Sequence, residues 1–182
     1  MNLSPELQER FARVRLLLMD VDGVLTDGRL YHFPAPDGTM VETKGFDSQD
    51  GMALRWLLWN NIQTGVISGR ISRATAERAR QLDMSYVYQG HIEKIPIVEE
   101  IMAKSGIARE NIAYVGDDLT DIVVMRRVGL GIATANARPE VKRAAHYTTI
   151  VPGGSSAIRE VAELILQAQG HWTAILKKYE VD

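Results

Sequence analysis

The chain has 182 residues, 46% hydrophobic and 24% charged, which suits one domain that buries its own core. It has no cysteine, which excludes disulfides, a thiolate nucleophile and cysteine-ligated zinc and leaves oxygen or imidazole donors for any metal. The formal charge of -2 gives no bulk attraction for nucleic acid or anionic lipid, no stretch approaches the ~20 apolar residues of a membrane span, and the opening residues lack the basic-then-apolar order of a secretory signal. The expectation is a cytoplasmic protein whose partner is a small metabolite, with no nucleic acid and no membrane.

In chain order, a polar amphipathic helix is predicted from about Ser4 to Arg13. The unalternating apolar run Leu16 to Met19 then reads as a strand buried on both faces, ending at Asp20. Segments near Arg29 to Phe33 and Met40 to Lys44 flank the turn-rich 34–38 and predict a β-hairpin projecting from the domain at about 29–44. After it the pattern alternates. A helix from Asp50 to Trp59 precedes a strand Thr64 to Ile67; a helix Ser72 to Leu82 precedes a strand Tyr86 to Tyr88; a helix Glu93 to Lys104 precedes a strand Ile112 to Val115. A helix through Val123 and Met125, a strand Leu130 to Ala133, a helix Pro139 to Ala145, a strand Tyr147 to Ile150 and a helix Ser156 to Gln167 complete the series, with a C-terminal helix and tail over about 155–182. Such alternation predicts an α/β fold: a doubly wound, Rossmann-like, mainly parallel sheet with helices on both faces, in a single domain spanning 1–182.

Ligands of such sheets bind beyond the carboxyl ends of the strands. Asp20 and Asp22 follow the first strand, Ser68, Gly69 and Arg70 the second, Lys94 the third, and Asp117 and Asp118 the fourth, so these clusters are predicted to converge on one edge. Asp20 and Asp22, one residue apart, project to the same side of an extended segment. Gathering Asp117 beside them is unfavourable unless a cation compensates, and a hard divalent ion, magnesium, fits a site built of carboxylates and substrate phosphate. Ser68, Gly69 and Lys94 suit the oxygens of a phosphoryl group in transfer. Asp20 is then the nucleophile, forming an acyl phosphate, and Asp22 protonates the leaving alkoxide before activating water.

Each piece alone has a plainer explanation. Asp-x-Asp-Gly is an ordinary turn, Gly116-Asp117-Asp118 a helix cap, Ser68-Gly69-Arg70 a loop and Lys94 a solvated helix start; Asp118 and Asp121 read as capping or supporting groups. It is their joint occurrence in this order that points to chemistry. His32, His91, His146 and His171 are dispersed and carry no metal-ligand spacing.

The stretch Asp20-Val21-Asp22-Gly23-Val24-Leu25-Thr26, with Ser68-Gly69-Arg70, Lys94 and Gly116-Asp117-Asp118-Leu119-Thr120-Asp121, resembles the four motifs of the haloacid dehalogenase superfamily. More narrowly, Lys44-Gly45-Phe46, Asp50-Gly51, Tyr88-Gln89-Gly90, Tyr114-Val115-Gly116-Asp117-Asp118 and Arg159-Glu160-Val161 resemble the capless 3-deoxy-D-manno-octulosonate 8-phosphate phosphatases. The resemblance implies Asp20, Asp22 (through its backbone carbonyl) and Asp117 as magnesium ligands, with Asp118 and Asp121 in support. It implies substrate contacts at Asp22, Asp47, Ser48, Gln49, Asp50, Gly51, Arg55, Gly69, Arg70, Arg78 and Lys94, and a homotetramer in which the hairpin helps close a neighbour's site. The implied activity is magnesium-dependent hydrolysis of that sugar phosphate in lipopolysaccharide biosynthesis. The rivals are a phosphatase for a nine-carbon keto-sugar acid 9-phosphate of sialic acid type, a non-catalytic oligomerising sugar-phosphate-binding domain, and a receiver-like phosphoacceptor domain. The sequence departs from those relatives in a longer hairpin tip with Pro34 and Pro36, and in Ser155 and Ser156, where they often carry a basic residue and glycine.

Overall fold

The computed structural model describes residues 3–181. Helix α1, Pro5–Ala12, is started by Ser4, whose hydroxyl accepts from the Leu7 N–H, and by proline in its first turn. It leads into β1, Leu16–Met19, whose four residues are all buried. Two strands, β2 (Tyr31–Pro34), exposed throughout, and β3 (Met40–Thr43), exposed in its first half, pair antiparallel as a separate hairpin. Then come α2 (Ser48–Trp59), β4 (Gln63–Ser68), α3 (Arg73–Gln81), β5 (Tyr86–Gln89), α4 (Ile95–Ser105), β6 (Ile112–Gly116), α5 (Leu119–Met125), β7 (Leu130–Ala133), α6 (Pro139–Ala144), β8 (Tyr147–Thr148), α7 (Ala157–Ala168) and α8 (Trp172–Lys178).

The main sheet has six parallel strands in the order β5-β4-β1-β6-β7-β8. The chain therefore starts in the middle: β1 pairs with β4 on one side and β6 on the other, and the crevice between those crossovers is the topological switch point where such sheets bind ligands. Side chains alternate across β1. Leu17 and Met19 join a core with Phe11, Leu57 and Ile165, under α1, α2 and α7, while Leu16 and Leu18 join another with Ile101, Met125 and Val141, under α4, α5 and α6. Truncating Leu17, which has no exposed surface, to alanine would cost roughly 2–5 kcal/mol.

The predicted architecture is present, with shifts at element ends that have local causes. Helix α2 begins at Ser48 rather than Asp50 because the Asp47 carboxylate accepts from the Gln49 N–H at 2.7 Å. Helix α7 begins at Ala157 because Ser156 sits at φ 70°, outside the helical region. Strand β8 stops at Thr148 because the Ile150 and Val151 N–H groups donate to the Glu160 carboxylate instead of extending a ladder. The terminal segment carries a further helix, α8, whose Trp172 ring meets the Trp56 ring at 5.5 Å between centroids.

Candidate active site

Three residues meet at Lys94: Asp20 after β1, Tyr114 within β6 and Asp121 in the first turn of α5. Its ammonium group is almost wholly buried and donates to Asp20 Oδ1 at 2.8 Å, Tyr114 Oη at 2.9 Å and Asp121 Oδ1 at 2.7 Å. Burial alone would depress the lysine, but Asp20 and Asp121 together outweigh it and push Lys94 above its ordinary value, so it stays charged. Tyr114 donates to the same Asp121 oxygen at 2.7 Å; burial and the neighbouring carboxylates raise the phenol well above its usual range, which keeps it a donor. The other Asp121 oxygen accepts from the Asp117 and Asp118 N–H groups at 3.0 and 3.1 Å. Asp121 thus completes a capping box at the start of α5 and anchors the lysine at once.

Asp20, Asp117 and Asp121 offer oxygens that all lie within 4.8 Å of one another. Asp121 is already committed to four donors, so the free capacity belongs to Asp20 and Asp117. Asp117 Oδ1 is buried with no hydrogen-bond partner, an arrangement that costs free energy unless a cation completes it. Burial, followed by repulsion from Asp20, Asp121 and Asp118, pushes the Asp117 carboxyl up to about 7; burial also pushes Asp20 up to about 6 against the pull of Lys94. Gly23 makes room for this: at φ 90°, a Cβ there would stand 2.1 Å from Asp117 Oδ2. Two neighbouring carboxylates pushed up mainly by burial, one of them with an unpartnered oxygen, fit a hard divalent ion held by oxygen donors.

Asp22 lies on the same turn, and its Oδ1 accepts a hydrogen bond from Lys44, which follows β3 and has a fully buried side chain. Lys44 is also 3.7 Å from Glu42, whose second oxygen accepts from Arg70 at 2.5 Å. The turn is braced from far along the chain. Asn136 donates to the Gly23 carbonyl at 2.9 Å and accepts from the Gly153 N–H at 2.6 Å, and Gly153 packs so tightly that a Cβ there would lie 2.0 Å from that same carbonyl oxygen. Ser68 ends β4 buried, its hydroxyl accepting from the Arg70 N–H at 3.2 Å, and Gly69 is exposed beside it. Asp118 is exposed and caps α5.

The sequence-derived contacts on and around α2 and α3 are arranged differently. Ser48, Gly51, Arg55 and Arg78 line an open pocket of about 570 Å³ together with Arg80 and Asp83; Asp20, Asp22, Lys94 and Asp117 are not part of its wall. There Arg55 donates to the Gln81 carbonyl and Arg78 to the Asp47 carbonyl. Asp47 also accepts from the Ser156 hydroxyl at 2.8 Å, Gln49 is exposed, and Asp50 turns inward, accepting from the Arg159 N–H at 2.7 Å. Burial pushes Asp50 up to about 7. Three residues of the site, Lys44, Glu42 and Tyr114, had no role assigned from sequence. The hint for Lys44 is its place in Lys44-Gly45-Phe46, and that for Tyr114 its place in Tyr114-Val115-Gly116-Asp117-Asp118, although it sits mid-strand like any core aromatic.

Known proteins resemble this chain in sequence and in fold. A profile of haloacid dehalogenase-like hydrolases matches residues 79–152. The 3-deoxy-D-manno-octulosonate 8-phosphate phosphatase of Salmonella typhimurium is 40% identical over 168 residues, covering 92% of this chain and 87% of that protein. The crystal structure of a probable phosphatase of the YrbI family from Pseudomonas syringae superposes with a TM-score of 0.92 at 41% identity, covering 98% of this chain and 99% of that one. The enzyme from Moraxella catarrhalis named for the same sugar phosphate, solved with a magnesium ion, a phosphate ion and the sugar acid, superposes with a TM-score of 0.91 at 36% identity, covering 97% and 99%.

Proposed function

The chain belongs to the 3-deoxy-D-manno-octulosonate 8-phosphate phosphatase family of haloacid dehalogenase-like hydrolases, and from this premise we propose how it hydrolyses that sugar phosphate. The observation that carries the reading is the Asp20–Lys94–Asp121 cluster beside the unpartnered oxygen of Asp117. Asp20, ionised above about pH 6, attacks the phosphorus; the ester P–O bond breaks and its electrons leave with the C8 oxygen, which takes a proton from Asp22. Asp22 then takes a proton from water as it attacks the acyl phosphate, releasing inorganic phosphate and restoring the Asp20 carboxylate. Lys94 holds positive charge against the transferring group, and the Ser68 hydroxyl donates to one of its oxygens. Asp20, Asp117 and the backbone carbonyl of Asp22 would hold magnesium, which supplies charge neutralisation for the phosphoryl oxygens.

The pocket bearing Arg55 and Arg78 offers guanidinium groups suited to the substrate's carboxylate, with Ser48 and Gly51 beside them; Arg70, next to Ser68, stands nearer the phosphate. Because the arginine pocket and the carboxylate edge are walled by different residues, a homotetramer that brings one copy's edge to a neighbour's face suits the substrate best. The hairpin supports this reading, since Tyr31, Phe33, Met40 and Val41 are exposed on a two-stranded ribbon that is marginal by itself. Among the described residues no helix is long and apolar enough to cross a membrane, and we place the enzyme in the cytoplasm, in lipopolysaccharide biosynthesis, as one domain over residues 1–182.

The test is phosphate release from 3-deoxy-D-manno-octulosonate 8-phosphate and from a sialic acid 9-phosphate, with and without magnesium, for the wild type and Asp20→Asn. Magnesium-dependent release from the eight-carbon substrate, abolished by the substitution, is the expected result. Preference for the nine-carbon substrate would move the assignment to that class, and no release from either by the folded, metal-loaded protein would leave a binding domain.

A further inference from the structure

Lys44 stands at the base of the hairpin with no side-chain surface exposed, while the apolar side chains of the hairpin itself, Phe33, Met40 and Val41, face solvent. The hairpin is therefore held to the domain at this point by charge rather than by apolar burial. Burying an ammonium group is costly unless it is paired, and Lys44 is paired with Asp22 Oδ1 and, at 3.7 Å, with Glu42. Glu42 passes the link on to Arg70 at 2.5 Å. The short run Glu42 to Lys44, at the end of β3, thus joins the turn after β1 to the loop after β4.

A carboxylate that must first give and then take a proton has to stand within hydrogen-bond reach of the transferring oxygen, and displacement by about 1 Å can cost on the order of 10²-fold. Resting on the reading of Asp22 as the acid and base, we infer that Lys44 is a positioning residue: it holds Asp22 Oδ1 so that Oδ2 faces the leaving oxygen. Through Glu42 and Arg70, that orientation depends on the hairpin being seated. Lys44 touches neither substrate nor the reacting atoms; it acts through Asp22.

Lys44→Met keeps the stem and removes the charge. The leaving group separates positioning from mere structure, because a sugar alkoxide needs a proton whereas 4-nitrophenolate does not. With 3-deoxy-D-manno-octulosonate 8-phosphate and saturating magnesium, kcat is expected to fall on the order of 10²-fold with KM changed by less than about threefold. With 4-nitrophenyl phosphate the first turnover keeps its wild-type rate, giving a burst of one equivalent of nitrophenol, and only later turnovers slow, because water activation still needs Asp22. Lys44→Arg restores part of the sugar-phosphate rate. A kcat within about threefold of wild type, an equal loss in the first turnover for both leaving groups, or a rise in KM alone would each overturn the inference. If thermal melting shows Lys44→Met unfolded, Glu42→Gln on the exposed hairpin carries the test: the same split, smaller in size, is expected, and its absence overturns the inference. A wild type that hydrolyses neither substrate overturns the reading of the site and the inference with it, whereas an active wild type with Lys44→Met unaffected overturns the inference alone.

Discussion

The Asp117 carboxylate lies against the backbone of Gly23 so closely that a Cβ at that position would stand 2.1 Å from Oδ2. Gly23→Ala must therefore push the Asp117 carboxylate from its present position, besides straining a backbone held at φ 90°. Displacing a ligand's support in this way is expected to weaken magnesium binding by about 10- to 100-fold, read from calorimetric titration and from the metal dependence of phosphate release. Unchanged affinity would show that Asp117 does not hold the ion.

Tyr114→Phe removes one of the three acceptors around Lys94 and one of the four donors to Asp121. Lys94 keeps both carboxylates, so the lysine stays charged but less constrained. We expect a loss of about 1–2 kcal/mol in urea unfolding and a fall in kcat of about tenfold. Lys94→Met, which leaves Asp20 and Asp121 facing each other without a counter-charge, should abolish turnover.

Loss of solvent pushes three carboxyls high: Asp20 to about 6 and Asp50 and Asp117 to about 7, against an ordinary value of 3.8. In this range the folded chain binds more protons than the unfolded one, so their contribution to stability is fullest below the ordinary value and is lost as pH rises through about 7. For the metal-free protein this predicts a melting temperature that declines between about pH 5 and pH 8. Magnesium should reverse the trend, raising the melting temperature strongly at pH 8 and little at pH 5, since it competes with protons for Asp20 and Asp117. Calorimetry at several pH values, with and without the ion, checks both signs.

Asp50 accepts from the Arg159 N–H and is buried under α7. Asp50→Ala is expected to cost about 1–2 kcal/mol of stability through the lost helix-end contact and to leave KM for the sugar phosphate within about threefold. A KM raised tenfold or more with stability intact would return Asp50 to the substrate.

The sheet was legible because its strands have no other reading. Leu16 to Met19 is apolar at every position, as a strand covered on both faces requires, and is too short for a helix; Asp20 marks where that cover ends. The acids and Lys94 followed from strand order, since a parallel sheet delivers every strand end to the same edge. Lys44 was not legible as a site residue: on an exposed hairpin a lysine reads as solvated, and its partner Asp22 comes from a different part of the fold. Tyr114 stood in a recognisable motif, but its role was hidden by its buried strand, where an aromatic needs no polar explanation until the hydroxyl's partners are seen. For Arg55 and Arg78 the residue type was readable and the location was not, because it depends on how α2 lies against the end of α3.

The brace on the Gly23 turn, built from Asn136 and Gly153, has a consequence for the chain as it is made. The nucleophile's strand is synthesised first but stands in the centre of the sheet, flanked by β4 and β6, and the turn that follows it is clamped by residues translated more than a hundred positions later. A nascent chain emerging from the ribosome can pair β1 with nothing until β4 arrives, and cannot set the Asp22–Gly23 backbone until the segment around Gly153 has cleared the exit tunnel. Nascent fragments that stop before that segment therefore carry all the acids and Lys94 yet lack the turn geometry that makes them act together.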